Sequence, residues 1–178
     1  MCHFSAGKVL FIAVLMTVCC AVAQEPLRIA VRGDVLKPGQ WSIDDLKRQF
    51  SKETQTIKIS QMKGAPEQTG KGIPLFTLIQ TAEPKVEKGA KHYDLTFLVY
   101  VEARDSYRAF FSMAELNPEV GNTQVYLLWE VDGKPLTDKE APCKLLVVGE
   151  KGHSRSIFGI ASINLVDGTK LVNAMSSR

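Results

Sequence analysis

The amino-acid sequence predicts an α+β domain: a β-rich mixed sheet with a few short helices. Three observations carry that class. Apolar runs of strand length, such as LRIAV (27–31), LTFLVYVEA (95–103) and VYLLWEV (125–131), recur along the chain and are separated by Gly, Pro and Asp turns. Only a few short stretches place apolar residues at helical spacing, and two of them open on a Ser-x-x-acid capping pattern. Helices do not alternate regularly with strands, which argues against a doubly wound parallel sheet. The 178 residues are enough for one domain with a real core.

LRIAV alternates as a strand and meets Gly33, and Lys37-Pro38-Gly39 is a turn signal. WSIDDLKRQF (41–50) predicts a short helix. Ser42 is its N-cap with Asp45 three residues on, and Ile43, Leu46 and Phe50 share one face. TIKIS (56–60) is a strand, and the polar segment 61–71 is a long connection of the kind that serves as a binding loop or a plain surface loop. GIPLFTLIQTA (72–82) predicts a helix with Pro74 in its first turn and Leu75, Leu78 and Ile79 buried. LTFLVYVEA lacks clean alternation and so predicts a strand covered on both faces. The tip Arg104-Asp105-Ser106 leads into a second strand, YRAFF (107–111). Ser112 and Glu115 repeat the capping spacing before MAEL (113–116). VYLLWEV turns at Asp132-Gly133, a hairpin signal. KLLVVG (144–149) is a buried strand, and SIFGIASINLV (156–166) ends the sheet.

The organisation expected is a signal peptide at 1–23, one domain at 25–172 and a frayed tail at 173–178. Lys8, the apolar run VLFIAVLMTVCCAVA (9–23) and the small-x-small Ala21-Val22-Ala23 read as an export signal cleaved after Ala23. The run falls short of the roughly 20 residues a membrane span needs, and the residues before Cys19 and Cys20 do not suit a lipidation site. The mature protein is therefore expected in the periplasm or secreted, with no membrane span after cleavage. Cleavage leaves Cys143 as the one cysteine, so no internal disulfide forms, and its setting in PCKLLVV (142–148) predicts burial as a small hydrophobe. A net charge of +3 without a basic stripe gives no case for a nucleic-acid partner.

There is no CxxC pair, HExxH, Walker loop or GxSxG elbow. Three polar clusters remain. The hairpin tip holds Arg104, Asp105 and Tyr107; turn chemistry alone explains Asp and Ser there, and the functional alternative puts Arg104 and Tyr107 on a cleft wall. The loop EKGHSR (150–155) sets Lys151, Gly152, His153 and Arg155 near glycine amides, a pattern able to hold an anion and equally able to be a solvated loop. The 61–71 segment contains no residue type that dictates chemistry by itself.

Taken in order, LRIAVRGDVLKPGQWSIDDL (27–46), GIPLFTLIQTA (72–82), EARDSYRAFFSMAEL (102–116) and DGKPLTDKEAPCKLLVVGEKGHSRSIFGIASINL (132–165) resemble the molybdopterin-binding oxidoreductase domain, the middle domain of the sulfite-oxidase type, in its small stand-alone bacterial form. The resemblance implies a sulfite-oxidase molybdopterin-domain-like fold with a sheet-lined cleft. It also implies departures. Catalytic members place a molybdenum-ligating thiolate just after the strand that TIKIS resembles, where this chain has Gln61 and Met62. Their Lys-Trp pair after the glycine loop is replaced by Ser156-Ile157-Phe158, and their Gly-Pro-x-Arg by Ala141-Pro142-Cys143-Lys144. Asp105, Tyr107, Gly152 and Arg155 match positions of the small-domain pattern.

The expected function is a non-catalytic binding module for a small polar or anionic ligand or a protein partner. Its site would comprise Arg104, Asp105, Tyr107, Lys151, Gly152, His153 and Arg155, with no metal and no cofactor. The alternatives are a pterin-dependent oxidoreductase that retains molybdopterin, and a structural or interaction domain without a small-molecule site.

Overall fold

The computed structural model describes residues 26–59, 66–150 and 154–177. The signal segment expected at 1–23 lies outside the described residues. Ten strands, four short helices and a 3₁₀ turn make up the described part. One sheet runs in the order β2 (Gly39–Trp41), β1 (Ile29–Gly33), β10 (Ile160–Asp167), β5 (Phe97–Ala103), β6 (Arg108–Ser112). In it β1 and β10 are parallel and the other pairs antiparallel. The second sheet orders β3 (Gln55–Ile59), β4 (Gln68–Pro74), β7 (Val125–Val131) and β8 (Lys134–Pro135), and β9 (Lys144–Val147) shares the β8 side of β7.

The two sheets and the helices α1 (Ile43–Gln49), α2 (Leu75–Thr81) and α3 (Met113–Leu116) close on one core. Ile29 and Val31, Val99 and Val101, Ile163 and Leu165 project into it from the first sheet, and Leu127 and Leu145 from the second. Truncating such a side chain to Ala costs about 2–5 kcal/mol.

Both predicted capping boxes form. Ser42 Oγ accepts from Asp45 N–H at 3.2 Å, and Asp45 Oδ2 accepts from Ser42 N–H at 3.1 Å. These bonds from Ser42 hold the Asp45 carboxyl down at about 2. Ser112 and Glu115 repeat the exchange at 3.0 and 3.1 Å. Each cap contributes about 1 kcal/mol and sets where its helix starts.

The structure corrects four readings. Gln68 to Lys71, read as the end of a loop, belong to the central strand β4; residues 60–65 of that segment lie outside the described residues. Glycines hid this strand. At Gly72 a β-carbon would stand 1.9 Å from the Leu127 carbonyl oxygen, so the approach of β4 to β7 at this bulge requires glycine. β5 buries one face only: Val99 and Val101 are inside while Leu98 is 39% exposed. The strand buried on both faces is β7, whose Leu127 meets the main core and whose Leu128 meets a smaller cluster with Ile57, Ile59 and Leu146. The final strand starts at Ile160, not Ser156. The chain then forms a fourth helix, α4 (Gly168–Ser176), where a fraying tail was expected from 173. Asp167 caps α4 through Thr169 N–H at 3.0 Å, and Lys170 pairs with Asp34, although every residue from 169 to 177 is exposed. Among the described residues no helix is long and apolar enough to cross a membrane.

Candidate functional site: a cleft at the β5–β6 tip

The tip of the β5–β6 hairpin is built by its own side chains. Asp105 Oδ1 accepts from Tyr107 N–H at 3.0 Å, Ser106 N–H donates to the Ala103 carbonyl at 3.0 Å, and Ser106 adopts a left-handed φ of 68°. This local turn aims two side chains sideways. Tyr107 donates its hydroxyl to the Ser154 carbonyl at 2.8 Å, which anchors its ring against the chain that returns from β9. Arg104 donates Nη2–H to the Asp138 carbonyl at 2.5 Å, and its backbone N–H to the Gly159 carbonyl at 2.9 Å.

Between these parts lies a cleft of about 550 Å³, within the usual range for small-ligand sites. Arg104, Asp105 and Tyr107 of the tip line it together with Lys139, Ser154, Ser156 and Phe158. Phe158 is 43% exposed and carries the Lys144 ammonium 4.8 Å from its ring centroid. Gly159 permits the close packing. Its φ is +63°, and a β-carbon there would sit 3.1 Å from the Lys139 carbonyl and 3.2 Å from Arg104 Nε. Among the described lining residues two cations, Arg104 and Lys139, face one carboxylate, Asp105, so the walls favour an anion.

Of the seven site residues read from sequence, the structure brings Arg104, Asp105 and Tyr107 together here. Lys151, Gly152 and His153 lie outside the described residues. Arg155 sits elsewhere. Its Nε donates to Glu150 Oε1 at 2.6 Å, its Nη1 donates to Glu115 Oε1 at 2.8 Å, and its guanidinium stacks over Phe111 at 4.8 Å. The Glu150 and Glu115 carboxylates raise its pKa further. Two carboxylates already neutralise this arginine. The segment 61–71 contributes no lining residue to the cleft among those described. Lys139, Phe158 and Gly159 were missed. Phe158 stands in the sequence as a replacement for a Lys-Trp pair, and its charged neighbour Lys144 comes from β9.

No family model matches the chain, and no curated protein matches it. Among solved structures it is similar to the sulfane dehydrogenase SoxCD from Paracoccus pantotrophus, with a TM-score of 0.59 and 20% sequence identity. The match covers 79% of this chain and 38% of that one. The fold is molybdopterin-oxidoreductase-like. At this identity the likeness concerns the fold, and this chain spans 38% of the length of its neighbour.

The resemblance read from the sequence implies a molybdenum–pterin group whose metal is held by a thiolate, and the one cysteine described is not placed as such a ligand. Cys143 is fully buried and is not a lining residue of the cleft. Burial pushes its thiol far above the ordinary thiol range, the reverse of what a metal-ligating thiolate needs. Among the described residues no three His, Cys, Asp or Glu side chains gather as a ligand set.

Proposed function

We propose that the protein is an exported binding module that holds a small anionic ligand in the cleft at the β5–β6 tip, without molybdenum chemistry. One observation carries this reading: Arg104 is held by main-chain carbonyls, and among the described residues no carboxylate forms an ion pair with it, so its charge is available beside Lys139. A guanidinium oriented in advance binds phosphate, sulfonate or carboxylate through charge-assisted hydrogen bonds. Tyr107 and Phe158 supply apolar wall for the rest of the ligand. The fold likeness supports a ligand cleft in this scaffold, and the buried Cys143 thiol counts against a metal-dependent oxidoreductase.

A thermal-shift screen with inorganic phosphate, sulfate, organic phosphates and sulfonates tests the proposal. At least one anion is expected to raise the melting temperature of the protein, and Arg104→Ala is expected to abolish that rise. A rise unaffected by Arg104→Ala removes the cleft from the reading. Near-stoichiometric molybdenum or a pterin oxidation product in natively purified material overturns its metal-free part.

A further inference from the structure

Beyond the cleft, the first sheet ends in a strand that is left open. β6 pairs with β5 on one side, and among the described residues no strand pairs with its other side. The direction of its main-chain groups follows from one bond. Ala103 N–H donates to the Tyr107 carbonyl at 2.9 Å, which makes 103 and 107 a hydrogen-bonded pair. Alternation along an antiparallel ladder then makes Tyr100 and Phe110 a non-hydrogen-bonded pair, so the N–H and C=O of Phe110 point away from β5. The same holds for Arg108. Ser112 N–H, the next in the series, is taken by the Glu115 carboxylate. The open strip therefore centres on Phe110.

Side chains at this strip are apolar where an edge is normally protected. Phe110 is 58% exposed and packs on Tyr100 with ring centroids 5.6 Å apart, and Leu98 lies in the next row. RAFFS contains no Pro and no Lys, the usual guards of an edge. Its one cation, Arg108, is matched by Glu102 at 2.6 and 2.9 Å. By contrast β2, at the other end of the sheet, has only three residues, and the β3 edge carries Lys58.

We propose that the protein forms a symmetric dimer by pairing this edge of β6 antiparallel with β6 of a second copy, centred on Phe110. A second copy fits because the edge is self-complementary. Pairing centred on Phe110 opposes each Phe110 to the other and lets each N–H meet the other carbonyl. The aromatic contact then continues across the join as Tyr100, Phe110, Phe110 and Tyr100. Arg108 stands opposite Ser112 of the second copy, so no like charges meet. A stable interface buries roughly 800 Å² on each partner, more than a five-residue strand with three apolar side chains supplies. The dimer is accordingly weak and concentration-dependent.

Sedimentation equilibrium of the purified protein from about 1 µM to about 300 µM tests this, the span where an interface below standard size associates. The expected result is a monomer–dimer equilibrium. Phe110→Glu is expected to move its midpoint at least about tenfold higher while leaving circular dichroism unchanged, and Phe110→Leu to retain association. Directly opposed residues in such a pair have Cα atoms about 5.5 Å apart, within disulfide range. Phe110→Cys should therefore yield a covalent dimer on mild oxidation, and Ser106→Cys at the hairpin tip should not. A protein monomeric across the whole range overturns the proposal. So does association unchanged in Phe110→Glu, or Ser106→Cys that cross-links as readily as Phe110→Cys.

Discussion

Two arginines that the sequence nominates for the same task are treated in opposite ways by the fold. Arg104, on the hairpin tip, is oriented by the carbonyls of Asp138 and Lys139 and forms no ion pair among the described residues at the edge of a cleft. Arg155, where the chain returns from β9, lies between Glu115 and Glu150 over the Phe111 ring and ties that return to α3. Carbonyl oxygens orient a guanidinium without cancelling its charge, whereas carboxylates cancel it. The first arrangement suits a ligand and the second suits a strap. Residue type and neighbouring glycines did not distinguish the two; their partners do.

The setting of Arg104 is most sensitive at Gly159, which lets Arg104 and the Lys139 carbonyl approach. Gly159→Val is expected to lower stability by about 2–3 kcal/mol through its left-handed φ and the steric conflict, read as a reduced urea midpoint. Next comes Arg104→Ala. It should weaken the best anion from the screen by about 1.5–3 kcal/mol in titration calorimetry while changing stability by less than about 1 kcal/mol. Arg155→Ala should do the reverse. Its ion pairs are about one-third exposed, so a stability loss of about 1–2 kcal/mol is expected, with anion affinity unchanged. Equal effects of the two alanine variants on affinity would erase the distinction between ligand group and strap. Tyr107→Phe removes the bond to the Ser154 carbonyl and should cost about 0.5–1.5 kcal/mol in the same denaturation assay. Least of all is expected at Cys143, on the segment behind the cleft. Ellman's reagent should leave it unmodified in native protein and react fully after unfolding, and rapid native labelling would contradict its burial.

What was legible in the sequence was local. The Ser42–Asp45 and Ser112–Glu115 boxes and the Asp105 turn are each encoded within a few residues, and each forms, whereas Pro74, expected in the first turn of α2, ends β4 just before the helix. The tip residues Arg104 and Tyr107 were recognised because a hairpin announces its own end. Lys139, Phe158 and Gly159 were not, because they reach the cleft only through contacts set by other strands. Gly159 N–H bonds the Glu140 carbonyl, and Leu145 N–H bonds the Ile157 carbonyl, and nothing in either segment predicts the other. β4 escaped notice for a related reason. The glycines that let it pack against β7 also strip it of the apolar pattern by which strands are read.

The parallel pairing of β1 with β10 joins Arg32 to Asn164, residues 132 positions apart. One side of β1 thus stays unpaired until a segment far along the chain has been made. Until β10 is made, Ile29 and Val31 have only the short β2 beside them, and a hairpin of β5 and β6 is the largest part of this sheet that can assemble from adjacent sequence. Closing so long a loop comes late and slowly. Local hairpins such as β3 with β4 and β5 with β6 can therefore form early, but the first sheet cannot close before β10 joins it.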